Sequence, residues 1–168
     1  YTYDDAFKMY QEQVKILADA GIDLIAAETM INIEETLAAV DAANSVCDLP
    51  IMCTMTVEAD GSIFSGGNAI EAAVSLEAAG ADAVGINCSV GPDQLVSVVR
   101  SIKENVSIPV IAKPNAGMPT IDDRGNAVYS MNPEDFASYM KILIENGASV
   151  VGGCCGTTPA FIRALHDS

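Results

Sequence analysis

The sequence predicts an α/β protein of about five parallel βα units, and three observations carry that expectation. Helix-patterned segments alternate with short apolar runs along the whole 168-residue chain. Each apolar run follows a helical stretch, as parallel strands covered on both faces require. Three helices end at a glycine leading into a strand, in "ADAGIDLIAAET", "EAAGADAVGINC" and "IENGASVVGGCC". Glycine suits the left-handed position that follows a helix.

Residues 4–20 pattern as the first helix, with Phe7, Tyr10, Val14 and Leu17 at three- and four-residue spacing. The strand "IDLIAAE" (22–28) follows, then a helix over about 33–45 and the strand "PIMCTMTV" (50–57). Helix 68–79 leads to "ADAVGINC", and helix 92–104, with its Leu95, Val98, Val99 and Ile102 stripe, leads to "IPVIAKPN". The polar stretch to Ser130 reads as a long functional loop. Asn132-Pro133 opens a helix buried through Phe136, Met140, Leu143 and Ile144. "SVVGGCC" is the last strand, and Thr158-Pro159 starts the final helix.

Composition excludes several function classes. With 8 basic and 23 acidic residues the net charge is −15, which argues against nucleic acid and anionic membranes as partners. No apolar run approaches the roughly 20 residues of a membrane span, and no secretory signal is expected. Five cysteines in such a chain read as reduced, cytoplasmic thiols rather than a disulfide framework. Tyr1 at the first position suggests a piece of something longer.

The three glycine-to-strand units share a register. Seven residues beyond Gly21, Gly80 and Gly147 stand Glu28, Asn87 and Cys154, and eight beyond stand Thr29, Cys88 and Cys155. Equivalent units therefore place a carboxylate and three cysteines at the C-terminal ends of the strands, where α/β folds carry their sites.

Adjacent Cys154 and Cys155 admit a strained disulfide, two buried spectators, or a shared metal ion. The common register with Cys88, and the freedom of Gly152, Gly153 and Gly156, favour a metal. Zinc suits thiolates, and its catalytic sites commonly have three protein ligands and an open position. Cys47, ending a helix, and Cys53, in mid-strand, read as ordinary packing residues. Glu28 is open between binding a substrate ammonium, acting as a base, and pairing with a neighbour. Asn87 and Asn115 either orient ligands or satisfy nearby backbone. Lys113 is a rival centre, since a lysine at a barrel-strand end can form a Schiff base. "SGGN" (65–68) is a weak phosphate cradle, and His166, the single histidine, reads as solvated.

"GINC" ending one strand and "GGCCGTTP" ending another, with "KPNAGMP", "ETM" and "TMTVEADG", resemble the homocysteine S-methyltransferase family. Within it, the resemblance is to the homocysteine-binding domain of the cobalamin-dependent methionine synthases, from about Tyr10 to the end. It implies a (β/α)₈ TIM-type barrel of which residues 1–168 are the C-terminal portion, strands four to eight, with strands one to three absent. A complete barrel typically takes about 250 residues. It also implies Zn²⁺ on Cys88, Cys154 and Cys155, with substrate-binding roles for Glu28, Asn115 and Asn87 and no catalytic residue beyond the zinc–thiolate site. Glu28 matches the residue that receives the homocysteine amino group, and Asn115 an asparagine near the metal.

The implied activity is zinc-dependent methyl transfer to the thiol of homocysteine, forming methionine. Methylcobalamin on another domain, recharged from methyltetrahydrofolate, is the implied donor, so corrinoid- and methyltetrahydrofolate-binding domains are implied partners. Betaine, S-methylmethionine and S-adenosylmethionine are the alternative donors. Two other classes stay open: a Schiff-base enzyme using Lys113, and a non-catalytic metal-binding fragment. A homodimer covering the open sheet edges is a further expectation.

Overall fold

The computed structural model describes residues 2–168, so Tyr1 of the expected 1–168 domain lies outside them. Helix α1 (Tyr3–Asp19) starts where the Thr2 hydroxyl accepts from the Asp5 N–H while the Asp5 carboxylate accepts from the Thr2 N–H. It packs on α2 (Ile33–Asn44). Between them runs β1 (Ile25–Met30). Then follow β2 (Ile51–Met55), α3 (Ala69–Ala78), β3 (Ala83–Cys88), α4 (Val96–Asn105) and β4 (Val110–Pro114). A hairpin of β5 (Pro119–Ile121) and β6 (Ala127–Tyr129) precedes α5 (Pro133–Glu145), β7 (Ala148–Val151) and α6 (Pro159–Asp167).

β1, β2, β3, β4 and β7 form one parallel sheet whose spatial order follows chain order. Right-handed crossovers in unbroken sequence put every helix on the same face, which bends the sheet into a barrel arc. Five strands make an incomplete barrel, and β1 and β7 are its two edges. The core lies between sheet and helices: Val84, Ile86, Val110, Ala112, Phe136, Met140 and Leu143 are all buried. Phe136 meets Phe161 of α6 edge to face, with ring centroids 5.5 Å apart.

Several expectations need correction. β1 begins three residues later than "IDLIAAE" suggested and runs on to Met30, because Ile25, not Ile22, pairs with Ile51. The expected helix over 92–104 begins as a short 3₁₀ turn, Pro92–Gln94, before α4. "SVVGGCC" leaves the sheet after Val151, although the Gly152 and Cys154 N–H groups still donate to Ala112 and Pro114 of β4. The expected loop before Ser130 contains the hairpin, whose three-residue strands, exposed but for Tyr129, carry too short a pattern to read. In "SGGN", the Asn68 side chain takes the Ile70 and Glu71 N–H groups, and the Glu71 carboxylate returns to Asn68. That filled cap leaves little for a phosphate. No helix among the described residues is long and apolar enough to cross a membrane.

Candidate metal centre

Three sulfur atoms converge at the C-terminal rim of the sheet. The Sγ atoms of Cys88, Cys154 and Cys155 lie within 4.8 Å of one another, and Cys88 and Cys155 approach to 3.5 Å. Three sulfurs of a tetrahedral zinc site, each at about 2.3 Å from the ion, stand about 3.8 Å apart. The donor set and its spacing therefore fit zinc with little rearrangement.

Local backbone explains the convergence. Cys88 and Ser89 take left-handed φ of 58° and 68°, turning the chain sharply out of β3. Ser89 is held there by its hydroxyl, which accepts from the Val57 N–H at 2.9 Å and donates to the Asn87 carbonyl at 3.0 Å. On the other side, Gly153 packs too closely on Thr157 for a side chain, and Gly156 lies under the Tyr129 ring. The glycines around Cys154 and Cys155 thus serve close approach, with left-handed backbone needed at Gly156 alone (φ 80°). Burial pushes the Cys88 thiol up to about 12, helped by hydrogen bonds to Cys155 and Cys154 and by their charge. A metal entering this site must displace protons.

Both asparagines brace the cysteines. Asn115 is 6% exposed; its Oδ1 accepts from the Cys155 N–H and its Nδ2 donates to the Ser89 carbonyl, both at 3.1 Å. Asn87, deeper still, bonds to Thr29, Thr54 and the Cys154 sulfur. Glu28 stands on the same rim beside Thr29 and pairs with Lys113. Lys113 therefore points to the concave side, its stem passing Gly152, where a Cβ would come within 3.3 Å. Cys53 is fully buried and Cys47 is half-buried just past the end of α2, and neither joins the sulfur cluster, as expected. His166 is exposed and faces Asp167.

Residues missed from sequence are Thr29, Ser89 and Tyr129, with Thr54 outside the sulfur cluster as a hydrogen-bond partner of Asn87. Thr29 occupied the shared register, so that signal was present; the others are tied to the site through contacts between distant segments. The Tyr129 hydroxyl is pushed up by loss of solvent and then by the charge and hydrogen bonding of Cys155.

A family model described as homocysteine S-methyltransferase matches residues 1–168. The chain belongs to the homocysteine S-methyltransferase family. It is 34% identical over 162 residues to the methionine synthase of Mycobacterium tuberculosis, covering 93% of this chain and 14% of that protein. Homocysteine S-methyltransferase 3 of Zea mays is 35% identical over 162 residues, with 94% of this chain and 47% of that protein covered. In fold, the chain matches the apo form of the homocysteine methyltransferase MmuM from Escherichia coli with a TM-score of 0.81 at 24% identity. That match covers 99% of this chain and 58% of MmuM. The chain thus spans about half or less of the curated relatives it matches. The family's barrel fold accounts for the sequential parallel sheet.

Proposed function

We propose that this chain carries the zinc site and the substrate-thiol site of a homocysteine methyltransferase of the methionine synthase type. The observation that carries the reading is the clustering of the Cys88, Cys154 and Cys155 sulfurs at the strand ends, in a chain of this family. Zinc held by these thiolates would supply the positive charge that keeps an added thiol deprotonated at neutral pH and fixes its position.

The chain's own residues do the rest. Cys88, Cys154 and Cys155 hold the metal, while Asn115 and Ser89 keep the two cysteine-bearing turns in place. Asn115 uses one lone pair and one N–H on these contacts, which leaves a donor and an acceptor for a ligand. Glu28 takes the substrate ammonium, and to do so it exchanges its pairing with Lys113 for the incoming amine. That pairing also engages the lysine amine that a Schiff-base reaction would need free, which disfavours the Lys113 alternative. The substrate sulfur then attacks the methyl carbon of the donor. A sulfur–carbon bond forms, the donor–methyl bond breaks with its electron pair left on the donor, and the thiol proton has passed to solvent.

The donor we assign is methylcobalamin, presented at the rim by another domain and recharged from methyltetrahydrofolate. Similarity to a methionine synthase of which this chain covers only 14% supports that assignment. Further βα units of the same domain would cover the β1 and β7 edges, with a second copy of this chain as the alternative. The free triad thiols suit a reducing compartment, the cytoplasm.

X-ray absorption at the zinc edge tests the reading. The reduced chain is expected to show three sulfur ligands, rising to four when homocysteine is added. Zinc that stays at three sulfurs with homocysteine present would reduce the chain to a metal-binding fragment. Absence of stoichiometric zinc would remove the reading altogether.

A further inference from the structure

Asn87 is 1% exposed, at the C-terminal end of the central strand β3. Its Oδ1 accepts from the Thr29 N–H at 2.9 Å and from the Thr54 hydroxyl at 2.7 Å. Its Nδ2 donates to the Thr29 hydroxyl at 2.8 Å and to the Cys154 sulfur at 3.7 Å. An asparagine amide offers two acceptor and two donor positions, so all are taken. No position is left for substrate, and the residue acts through its neighbours.

The orientation of the amide is determined by chemistry. A backbone N–H can only donate, so the Thr29 N–H must face the amide oxygen. That turns the NH₂ group toward the Thr29 hydroxyl and the Cys154 sulfur. Thr29 is in the left-handed region, with φ 62°, a conformation that a β-branched residue keeps only when its surroundings hold it. Both the N–H and the hydroxyl of that residue are bonded to Asn87. One buried amide therefore anchors the irregular end of β1 beside Glu28 and the sulfur of a metal ligand, from segments 58 and 67 residues away in sequence.

The geometry points to Asn87 as the positioning residue of the metal centre: it aims the Cys154 sulfur at the site and ties that sulfur to the irregular end of β1 that carries Glu28. This inference rests on the zinc reading proposed above. An N–H donated to a metal-bound thiolate draws charge from that sulfur, so the amide makes Cys154 a weaker electron donor than it would be without Asn87. Loss of the amide is expected to loosen the sulfur and change its electronic character together.

The experiment uses the reduced chain loaded with zinc or with cobalt(II). Zinc affinity is read by chelator competition, and the cobalt form by its thiolate-to-metal charge-transfer bands. Asn87→Ala is expected to weaken zinc binding about 10- to 100-fold and to shift the charge-transfer bands. Thr54→Val removes one strand-to-strand hydrogen bond and leaves the donation to sulfur, so both metal readouts should stay as in the parent. If Asn87→Ala does not fold, Asn87→Asp decides. It keeps the shape, loses both N–H donations, and is expected to weaken zinc and shift the bands.

A folded Asn87→Ala or Asn87→Asp protein with parental affinity and an unshifted cobalt spectrum overturns the inference. So does a Thr54→Val protein that loses zinc as Asn87→Ala does, since Asn87 would then only knit strands. A parent chain that binds neither metal marks failure of the zinc reading itself, which separates the two.

Discussion

The two rims of the sheet solve the same backbone problem differently. Where helices turn into strands, the left-handed positions are glycines: Gly21, Gly80 and Gly147, with φ of 84°, 100° and 113°. Where strands run out, Gly117 and Gly156 are joined in the left-handed region by three residues with side chains, Thr29, Cys88 and Ser89. Glycine adopts that conformation without steric cost, so the entry rim is assembled for stability. Side chains adopt it only when their surroundings hold them, and the exit rim supplies hydrogen bonds from Asn87 and Val57 for that purpose. The difference teaches that strain is concentrated where sulfur, carboxylate and amide groups must be displayed together.

Breaking the entry rim should give the largest effect. At Gly147 a Cβ would meet the Lys103 Cγ at 2.5 Å, on top of the positive φ. Gly147→Ala is expected to destabilise by about 2 kcal/mol, a fall in melting temperature of roughly 4–8 °C. Zinc affinity should be unchanged. A parental melting temperature would show that the entry rim adapts freely, and a loss of zinc affinity would show that the two rims are not separable.

A second test contrasts a thiol buried inside the sheet with those on the rim. Burial alone raises Cys53 from its ordinary 9.0 to about 12. The folded chain holds that proton after the unfolded chain has lost it. The resulting stabilisation is whole below pH about 9 and is lost as pH rises toward about 12. Denaturation of parent and Cys53→Ala across that window should give a steeper decline for the parent. Equal slopes would mean that solvent reaches this thiol.

The smallest effect sharpens the exit rim. Lys113→Met frees Glu28, and homocysteine is expected to bind up to about five-fold more tightly, the worth of a partly exposed ion pair. Calorimetry reads it. Weaker binding would place Lys113 on the substrate instead of in competition with it.

Much of this was legible in the sequence because the signals are local. The glycine-to-strand register puts Cys88, Cys154 and Cys155 on one rim, and the structure brings their sulfurs together. Cys47 and Cys53 were separated from them by position within their elements. The hairpin was not legible, since strands of three residues, all exposed but Tyr129, carry too short a burial pattern. Nor were the partners of Asn87 and Lys113: the register puts Thr29 and Glu28 on the same rim, but nothing near Asn87 or Lys113 in sequence says which side chains they meet.

The sequence by itself determined the order of elements, the parallel sheet and the level at which the sulfurs stand. Caps, glycine breakers and apolar runs act over a few residues, and crossover handedness does the rest. Only the tertiary structure decided which side chains meet. Cys88 and Cys155 come within 3.5 Å across 67 residues because the curvature of the arc, the turn at Ser89 and the close packing at Gly153 and Gly156 act together. Those are distances between segments, set by packing, and no run of neighbouring residues encodes them.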